Sequence, residues 1–468
     1  MNPKRLAVLG FAVATLFSAV VLHAQGLPVA SPESVGMSTE RLGHIAGAFQ
    51  KEIDKGNLPG VVVLVARKGR LVYSNAIGFQ NKATGRPMAK DAIFRIYSMT
   101  KPLVSVATMM LVEDGKIELT DPVSKFLPAM KNMQVSVART DAEFARATYS
   151  LAPVEREITV QDLLRHTAGL AYANLTQNKA VVEAYTKSGI DADLRGLSPE
   201  QETDLVAKAP LIHQPGTYWE YSIATDVLGR VVEAASGKRL ADFLDERLFK
   251  PLAMNDTAFF VAADKMNRLA EALPVDAYSG QPNKLYDVAS VPNNDSGGAG
   301  GVSTAADYLR FAQMMANGGQ LDGKRILSRT TVEFMTSDHL GSRIQAQSPM
   351  TPGEILLSSP GYTFGLGFAV RPAPGVAGVP GSAGEFMWGG YAGTYFWVDP
   401  KEHLVAVYMT QAPSPSWAAA SSRFCAAIAV LCTAIRYSEL RRRSSGYGSM
   451  SRISMQTTTT AGASVIRA

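Results

Sequence analysis

The apolar positions near the start of the chain predict a helix followed by two strands. Between residues 38 and 55, apolar side chains recur at helical spacing, at Leu42, Ile45, Phe49 and Ile53. The continuously apolar run 61–66 predicts a buried strand, and residues 71–78 return from a Lys-Gly turn as a second strand. A helix, a hairpin and then another helix favour helices packed on an antiparallel sheet.

Farther along the chain the pattern changes twice. From about residue 119 to 283 strand signals are few, and helical patterns occur at 159–165, 199–209, 224–236 and 239–249. After a helix at 305–316, which Thr304 can cap, strands are predicted at 364–370, 385–388, 394–398 and 404–409. We therefore predict an α+β fold, with helices flanking an antiparallel sheet and a mostly helical domain inserted into it. The predicted units are a discontinuous sheet domain, 25–125 and 290–415, and a helical domain, 126–289.

Both ends of the chain are predicted to lie outside this fold. Lys4 and Arg5 precede an apolar run that ends at a small residue, Ala24, which predicts a secretory signal peptide over residues 1–24. A membrane anchor is the alternative, but the run is short for one. We expect an exported protein, periplasmic or secreted, without stable membrane insertion after cleavage. Residues 416–468 are atypical, and we expect a largely disordered tail.

Composition narrows the possible partners. The 468 residues are 46% hydrophobic and 19% charged, as in ordinary globular proteins. The net charge of +5 comes from residues 436–468, which hold six Arg and one Glu, so nothing indicates binding to nucleic acid. The sequence has no Cys/His cluster with zinc spacing, and the Gly-rich stretch 295–301 lacks the lysine of a phosphate-binding loop. We expect neither metal nor organic cofactor, and interpret those glycines as structural.

Candidate chemistry centres on a Ser-x-x-Lys motif at Ser98 and Lys101. Apolar residues follow it at helical spacing, and Pro102 is tolerated only in a first helical turn, so a helix begins at about Ser98. The two side chains then share one face, and the Ser98 amide is free to donate to an oxyanion. A lysine with a lowered pKa can take the proton of the serine. Because the bare motif also fits an ordinary helix start, other segments must decide whether Ser98 and Lys101 are catalytic.

Four further segments continue the pattern in order. They are Leu-Leu-Arg-His-Thr-Ala-Gly-Leu at 163–170, Pro-Gly-Thr-Tyr-Trp-Glu-Tyr-Ser-Ile at 215–223, Gly-Gly-Val-Ser-Thr at 300–304 and Trp-Gly-Gly-Tyr-Ala-Gly at 388–393. This order resembles the serine β-lactamase and penicillin-binding-protein superfamily, and is most similar to class C β-lactamase-like (family VIII) carboxylesterases. The resemblance covers roughly residues 30–415 and implies an active site between the sheet and a helical domain.

The resemblance implies a role for each matching side chain. Ser98 would be the acylated nucleophile and Lys101 its partner in proton transfer. Tyr221 falls where the family places the tyrosine that acts as general base and acid. His166 lies in a motif-like segment, but we interpret it as a turn histidine bonded to backbone and not as a catalytic residue.

The same resemblance assigns the oxyanion site and the substrate wall to one strand. Trp388, Gly389 and Gly390 stand where lactamases carry Lys-Thr-Gly, and the Tyr391 amide would be the second oxyanion donor. Ile223 stands where lactamases have asparagine. An indole in place of the lysine removes a donor suited to an anion and builds an apolar wall, which favours neutral esters. We therefore predict a serine carboxylesterase for a small-molecule ester, acting through an acyl-enzyme.

Two alternatives remain open at this point. A β-lactamase or D,D-peptidase would use the same serine, and a penicillin-binding-like module without activity would only bind cell-wall fragments. A conventional α/β-hydrolase is disfavoured because the chain has no Gly-x-Ser-x-Gly. The sequence leaves the natural substrate and the oligomeric state open.

Overall fold

A computed structural model describes residues 26–141, 146–190, 193–277, 279–345 and 361–413. The predicted signal peptide and the predicted disordered tail lie outside these residues. Within the described ranges, no helix has the length and apolar character that crossing a membrane requires.

One antiparallel sheet of eight strands forms the centre of the fold, as predicted. The described strands are β1 (Gly60–Arg67), β2 (Arg70–Asn81), β3 (Arg86–Pro87), β4 (Ile93–Arg95), β5 (Gln134–Asp141), β6 (Arg146–Pro153), β7 (Val302–Thr304), β8 (Gln320–Leu321), β9 (Lys324–Arg325), β10 (Thr363–Phe364), β11 (Ala369–Val370), β12 (Phe386–Gly390), β13 (Thr394–Asp399) and β14 (Leu404–Met409). The order in the sheet is β10-β11-β12-β13-β14-β1-β2-β3. β1 pairs with β14, Val62 opposite Met409, and every residue of both strands is buried. The continuous apolar run of β1 reflects this central position.

Helices cover this sheet and continue away from it. They are α1 (Thr39–Asp54), α2 (Thr100–Glu113), α3 (Val160–Leu164), α4 (Lys179–Ser188), α5 (Pro199–Lys208), α6 (Ala224–Ser236), α7 (Leu240–Leu244), α8 (Ala305–Ala316) and α9 (Arg329–Met335). α8 contacts β1, β13 and β14, while α2 contacts α6 and α7. The predicted cap of α8 is present, because the Thr304 hydroxyl accepts from the Asp307 amide at 3.1 Å. α2 is buried from Thr100 to Leu111, so its first turn lies inside the protein.

The region predicted to be helical contains a hairpin that the pattern did not predict. β5 and β6 pair with each other, and Val137 and Leu151 on them are exposed. A hairpin that leaves apolar side chains in solvent shows no clean alternation to mark it. The strands of the large sheet come from both sides of this region, and the division into two domains stays a prediction.

A second prediction is wrong in detail. Residues 364–370 form no single strand but two short ones, β10 and β11, which pair with each other. The chain reverses between them through Gly367, whose φ of 93° favours glycine. A Cβ at Gly365 would lie 2.2 Å from the Met335 carbonyl oxygen, so this turn is packed against the end of α9.

Candidate active site

Ser98 lies in a 3₁₀ turn, Tyr97–Met99, that leads directly into α2. Tyr97 has a φ of 44°, a left-handed conformation that is rare for a bulky residue. Two contacts hold it there. The Thr100 hydroxyl donates to the Tyr97 carbonyl at 2.6 Å, and the Tyr286 amide donates to the Tyr97 hydroxyl at 3.1 Å. This local strain is therefore maintained by surrounding structure directly before the serine.

The structure brings Ser98, Lys101 and Tyr221 together. The Tyr221 hydroxyl donates to Ser98 Oγ at 2.6 Å, and Lys101 Nζ lies 3.3 Å from the same oxygen. Lys101 Nζ also lies 4.8 Å from the centre of the Tyr221 ring. All three side chains are buried, so their interactions are little screened by water. A serine hydroxyl between a lysine and a tyrosine can lose its proton to either group once that group is deprotonated.

Lys101 has two further partners that the sequence did not predict. Its Nζ donates to the Tyr172 hydroxyl at 3.1 Å and to the Gly298 carbonyl at 2.8 Å. Burial raises the pKa of Tyr172 well above its usual value, so this phenol stays neutral. With Ser98, these contacts use all three donors of an ammonium group. A signal was available, since Tyr172 follows the Arg-His-Thr-Ala-Gly-Leu segment by two positions.

Gly298 belongs to the Gly-rich stretch that we interpreted as structural. The stretch lies against the start of α2, because the Gly301 amide donates to the Thr100 hydroxyl at 3.0 Å. A Cβ at Gly301 would lie 2.8 Å from that hydroxyl oxygen, so glycine is required for this approach. The close packing that we predicted from the glycines thus places a backbone carbonyl on the ammonium group of Lys101.

Aromatic rings surround Tyr221. The centres of the Tyr172, Trp388 and His166 rings lie 5.3, 5.4 and 5.0 Å from its own. His166 occupies a turn, with a φ of 56°, and its Nδ1 lies 3.2 Å from the Ser222 hydroxyl, a side chain where we predicted a backbone partner. Burial, aided by the positive charge of Lys101, holds the pKa of His166 well below its usual value. This neutral histidine supports the segment before α6 that carries Tyr221.

Strand β12, which leads into the predicted oxyanion donor Tyr391, adjoins the serine turn. A Cβ at Gly390 would lie 2.2 Å from the Ile96 carbonyl oxygen, and the Thr394 hydroxyl donates to that oxygen at 3.2 Å. The rings of Tyr391 and Tyr97 meet edge to face, 5.5 Å apart. This approach brings the Tyr391 segment beside the start of α2. Its amide as oxyanion donor stays a prediction.

Comparison with known proteins agrees with this geometry. The family model described as Beta-lactamase matches residues 45–428. The chain belongs to the beta-lactamase family. Protein Rv1367c of Mycobacterium tuberculosis (strain ATCC 25618 / H37Rv) is 35% identical over 375 residues, which is 78% of this chain and 88% of the relative. Esterase EstB of Burkholderia gladioli is 31% identical over 384 residues, which is 77% of this chain and 88% of the relative. The solved structure of EstCE1, described as a hydrolase with promiscuous acyltransferase activity, is 29% identical in sequence and has a TM-score of 0.68. The match covers 85% of this chain and 99% of EstCE1.

Aromatic side chains pack around β12, where the resemblance predicts the substrate wall. The Trp388 ring is buried between Tyr221, at 5.4 Å, and Phe364, at 5.2 Å. Ile223, the other departure seen in the sequence, is buried at the start of α6. Neither side chain offers a charge for a carboxylate of a ligand.

Proposed function

We propose that the protein is a serine carboxylesterase that cleaves neutral small-molecule esters through an acyl-enzyme. The observation that carries the proposal is the 2.6 Å contact between Tyr221 and Ser98, beside the buried Lys101. The similarity to two proteins described as an esterase and as a hydrolase supports it. Trp388 in the ligand wall favours neutral acyl or alkyl groups over anionic ones.

The reaction begins when the Tyr221–Lys101 pair has given up one proton. The phenolate, stabilised by the ammonium group beside its ring, takes the proton of Ser98, and Ser98 Oγ attacks the ester carbonyl. The amides of Ser98 and Tyr391 hold the negative oxygen of the tetrahedral intermediate. The C–O bond to the alcohol then breaks, and Tyr221 returns its proton to the leaving alkoxide.

Deacylation repeats these steps with water in place of the serine. Tyr221 takes a proton from water, the hydroxide attacks the acyl carbon, and the second tetrahedral intermediate collapses. The carboxylic acid leaves and Ser98 recovers its proton from Tyr221. These steps use only side chains and amides of the chain, and require neither metal nor organic cofactor.

A panel of substrates on the purified protein tests the proposal. We expect p-nitrophenyl acetate and butyrate to be hydrolysed faster than nitrocefin or a D-alanyl-D-alanine peptide. Ser98→Ala should bring ester turnover to background and abolish labelling by a fluorophosphonate. Ser105→Ala is the matched control, because Ser105 is also a buried serine, on the helix that follows the serine turn but outside the site.

The outcomes separate the candidate functions. Retained turnover in Ser98→Ala would contradict the mechanism. Nitrocefin or peptide turnover that exceeds ester turnover would favour a β-lactamase or D,D-peptidase. Folded wild-type protein that neither labels nor turns over any substrate would favour a binding module.

The proposed location follows from the sequence of the amino-terminal residues. Export to the periplasm or the medium fits residues 1–24, which have the pattern of a secretory signal. Cell fractionation and amino-terminal sequencing of the mature protein test this. Full-length protein in the cytoplasmic fraction would contradict it.

A further inference from the structure

We propose that Asp226 is a positioning residue of this site, which holds the Gly-rich stretch so that the Gly298 carbonyl receives the ammonium group of Lys101. Asp226 lies in the first turn of α6 and is buried. Within the part of the chain that the structure describes, it forms no hydrogen bond or ion pair with the three proposed catalytic side chains, so it acts through the stretch. The inference rests on the proposed function only for its turnover readout.

The carboxylate binds the stretch at two points. Asp226 Oδ1 accepts from the Ser296 hydroxyl at 2.6 Å and from the Gly298 amide at 3.0 Å. The Ser296 oxygen in turn accepts from the Ala299 amide at 3.1 Å. One buried carboxylate therefore orders consecutive residues on both sides of the carbonyl that Lys101 uses.

Steric contacts show how closely the stretch lies on α6. A Cβ at Gly298 would lie 2.1 Å from Asp226 Oδ2, and one at Gly297 would lie 2.4 Å from the Thr225 carbonyl oxygen. On its other side, the stretch is fixed to the serine segment, where the Ile96 amide donates to the Gly301 carbonyl at 2.9 Å. The stretch is thus clamped between α6 and the start of α2, and Gly298 is its point of contact with Lys101.

This arrangement supplies geometry and charge to Lys101. The carbonyl directs one of the three ammonium hydrogens, which leaves the others for Ser98 and Tyr172. The Asp226 carboxylate accepts from the amide of Gly298 and the Lys101 ammonium group donates to the carbonyl of the same residue, so a negative charge lies close to the lysine. Among the described residues, the other ionisable groups facing this pair are Tyr172, Tyr221, Tyr286 and His166 toward the site, and Glu202 and Arg230 behind α6.

The experiment compares Asp226→Asn with Asp295→Asn in the full-length chain. Asp295 is a matched control, because it is a buried carboxylate in the same stretch that faces Arg239, at 2.7 Å, and not Lys101. Steady-state kinetics with p-nitrophenyl acetate give kcat and KM. The rate of fluorophosphonate labelling at Ser98, followed from about pH 5 to about pH 10, reports activation of the serine without any ester substrate.

We expect Asp226→Asn to lower kcat and the maximal labelling rate at least about tenfold, with KM changed by less than about threefold. Because a negative charge is lost near Lys101, the acid limb of the labelling profile should move about one unit to lower pH. Asp295→Asn should keep the wild-type labelling rate and the wild-type position of the acid limb, even if its melting temperature falls.

Three results would overturn the inference. The first is a folded Asp226→Asn that keeps the wild-type kcat and the wild-type position of the acid limb of the labelling profile. The second is an equal change of kcat and of the acid limb in Asp226→Asn and Asp295→Asn. The third is a loss of rate in Asp226→Asn without any shift of its acid limb. If Asp226→Asn does not fold, Gly298→Ala tests the same contact from the other side, because its Cβ must displace the carboxylate. A folded Gly298→Ala with wild-type labelling would equally overturn it. Failure of the proposed function would look different, with wild-type labelling intact and no ester turnover.

Discussion

Replacing Tyr221 by phenylalanine removes one oxygen atom from the site and little else. The ring keeps its neighbours, with Trp388 and Tyr172 at 5.4 and 5.3 Å between ring centres, so the fold should survive. What disappears is the 2.6 Å contact with Ser98 Oγ, and with it the group that moves the proton. A positioned general acid or base contributes about 10²- to 10⁴-fold to a rate, so kcat should fall by that factor.

That loss corresponds to about 3 to 5 kcal/mol of activation free energy. The same deletion should cost only about 1 kcal/mol of folding free energy, the net value of one hydrogen bond. Tyr308→Phe is the matched control, since the buried Tyr308 hydroxyl donates to the Met99 carbonyl at 2.8 Å on the far side of the serine turn. We expect Tyr308→Phe to lose stability and keep its rate.

The assay is steady-state hydrolysis of p-nitrophenyl acetate, combined with thermal unfolding of both variants. A folded Tyr221→Phe with wild-type kcat would refute the role given to the phenol. A comparable rate loss in Tyr308→Phe would show that packing around the serine, and not proton transfer, controls the rate.

Two further changes test the surroundings of the site. Burial raises the pKa of Glu202 to about 7, above that of an exposed carboxyl, so the folded state takes up a proton that the unfolded chain has released. Glu202 should therefore contribute stability that grows as pH falls from about 8 to about 5. Relative to wild type, the melting temperature of Glu202→Gln should lose this gain, whereas identical slopes of melting temperature against pH would contradict the reasoning. Gly390→Ala must push the end of β12 away from Ile96, so its kcat should fall at least about tenfold. Gly43→Ala, whose added Cβ meets nothing within 4 Å, should not change kcat, and wild-type kcat in Gly390→Ala would refute the argument.

Sequence reasoning located the three converging side chains because each sits in a local signature. Ser98 and Lys101 share a helix start, and Tyr221 stands in a segment whose order along the chain matches a known pattern. For Tyr172 the sequence offers only its position, two residues after the Arg-His-Thr-Ala-Gly-Leu segment. Tyr172 reaches Lys101 only because the fold brings its loop to α2, and a single tyrosine in a loop is not distinguishable from a packed aromatic.

The Gly-rich stretch shows a second limit. Its glycines correctly indicated close backbone packing, but which atom they bring close, and to what, depends on α2 and α6 together. The hairpin of β5 and β6 was missed for a related reason. Hydrophobic periodicity reports burial on one face, and Val137 and Leu151 are exposed.

The central strand pair has a consequence for how the protein is made. β1 is completed early in synthesis, but its neighbour β14 is among the last described elements, and the Thr410 hydroxyl reaches the Gly60 carbonyl across 350 residues. A growing polypeptide on the ribosome can therefore pair β1 with β2 at once, but with β14 only after about residue 409 has been made. Because the strand that flanks the serine turn joins the sheet through β13 and β14, a chain cut short before Leu404 lacks the support for its own chemistry. The support for the site is therefore complete only after β14 has been made.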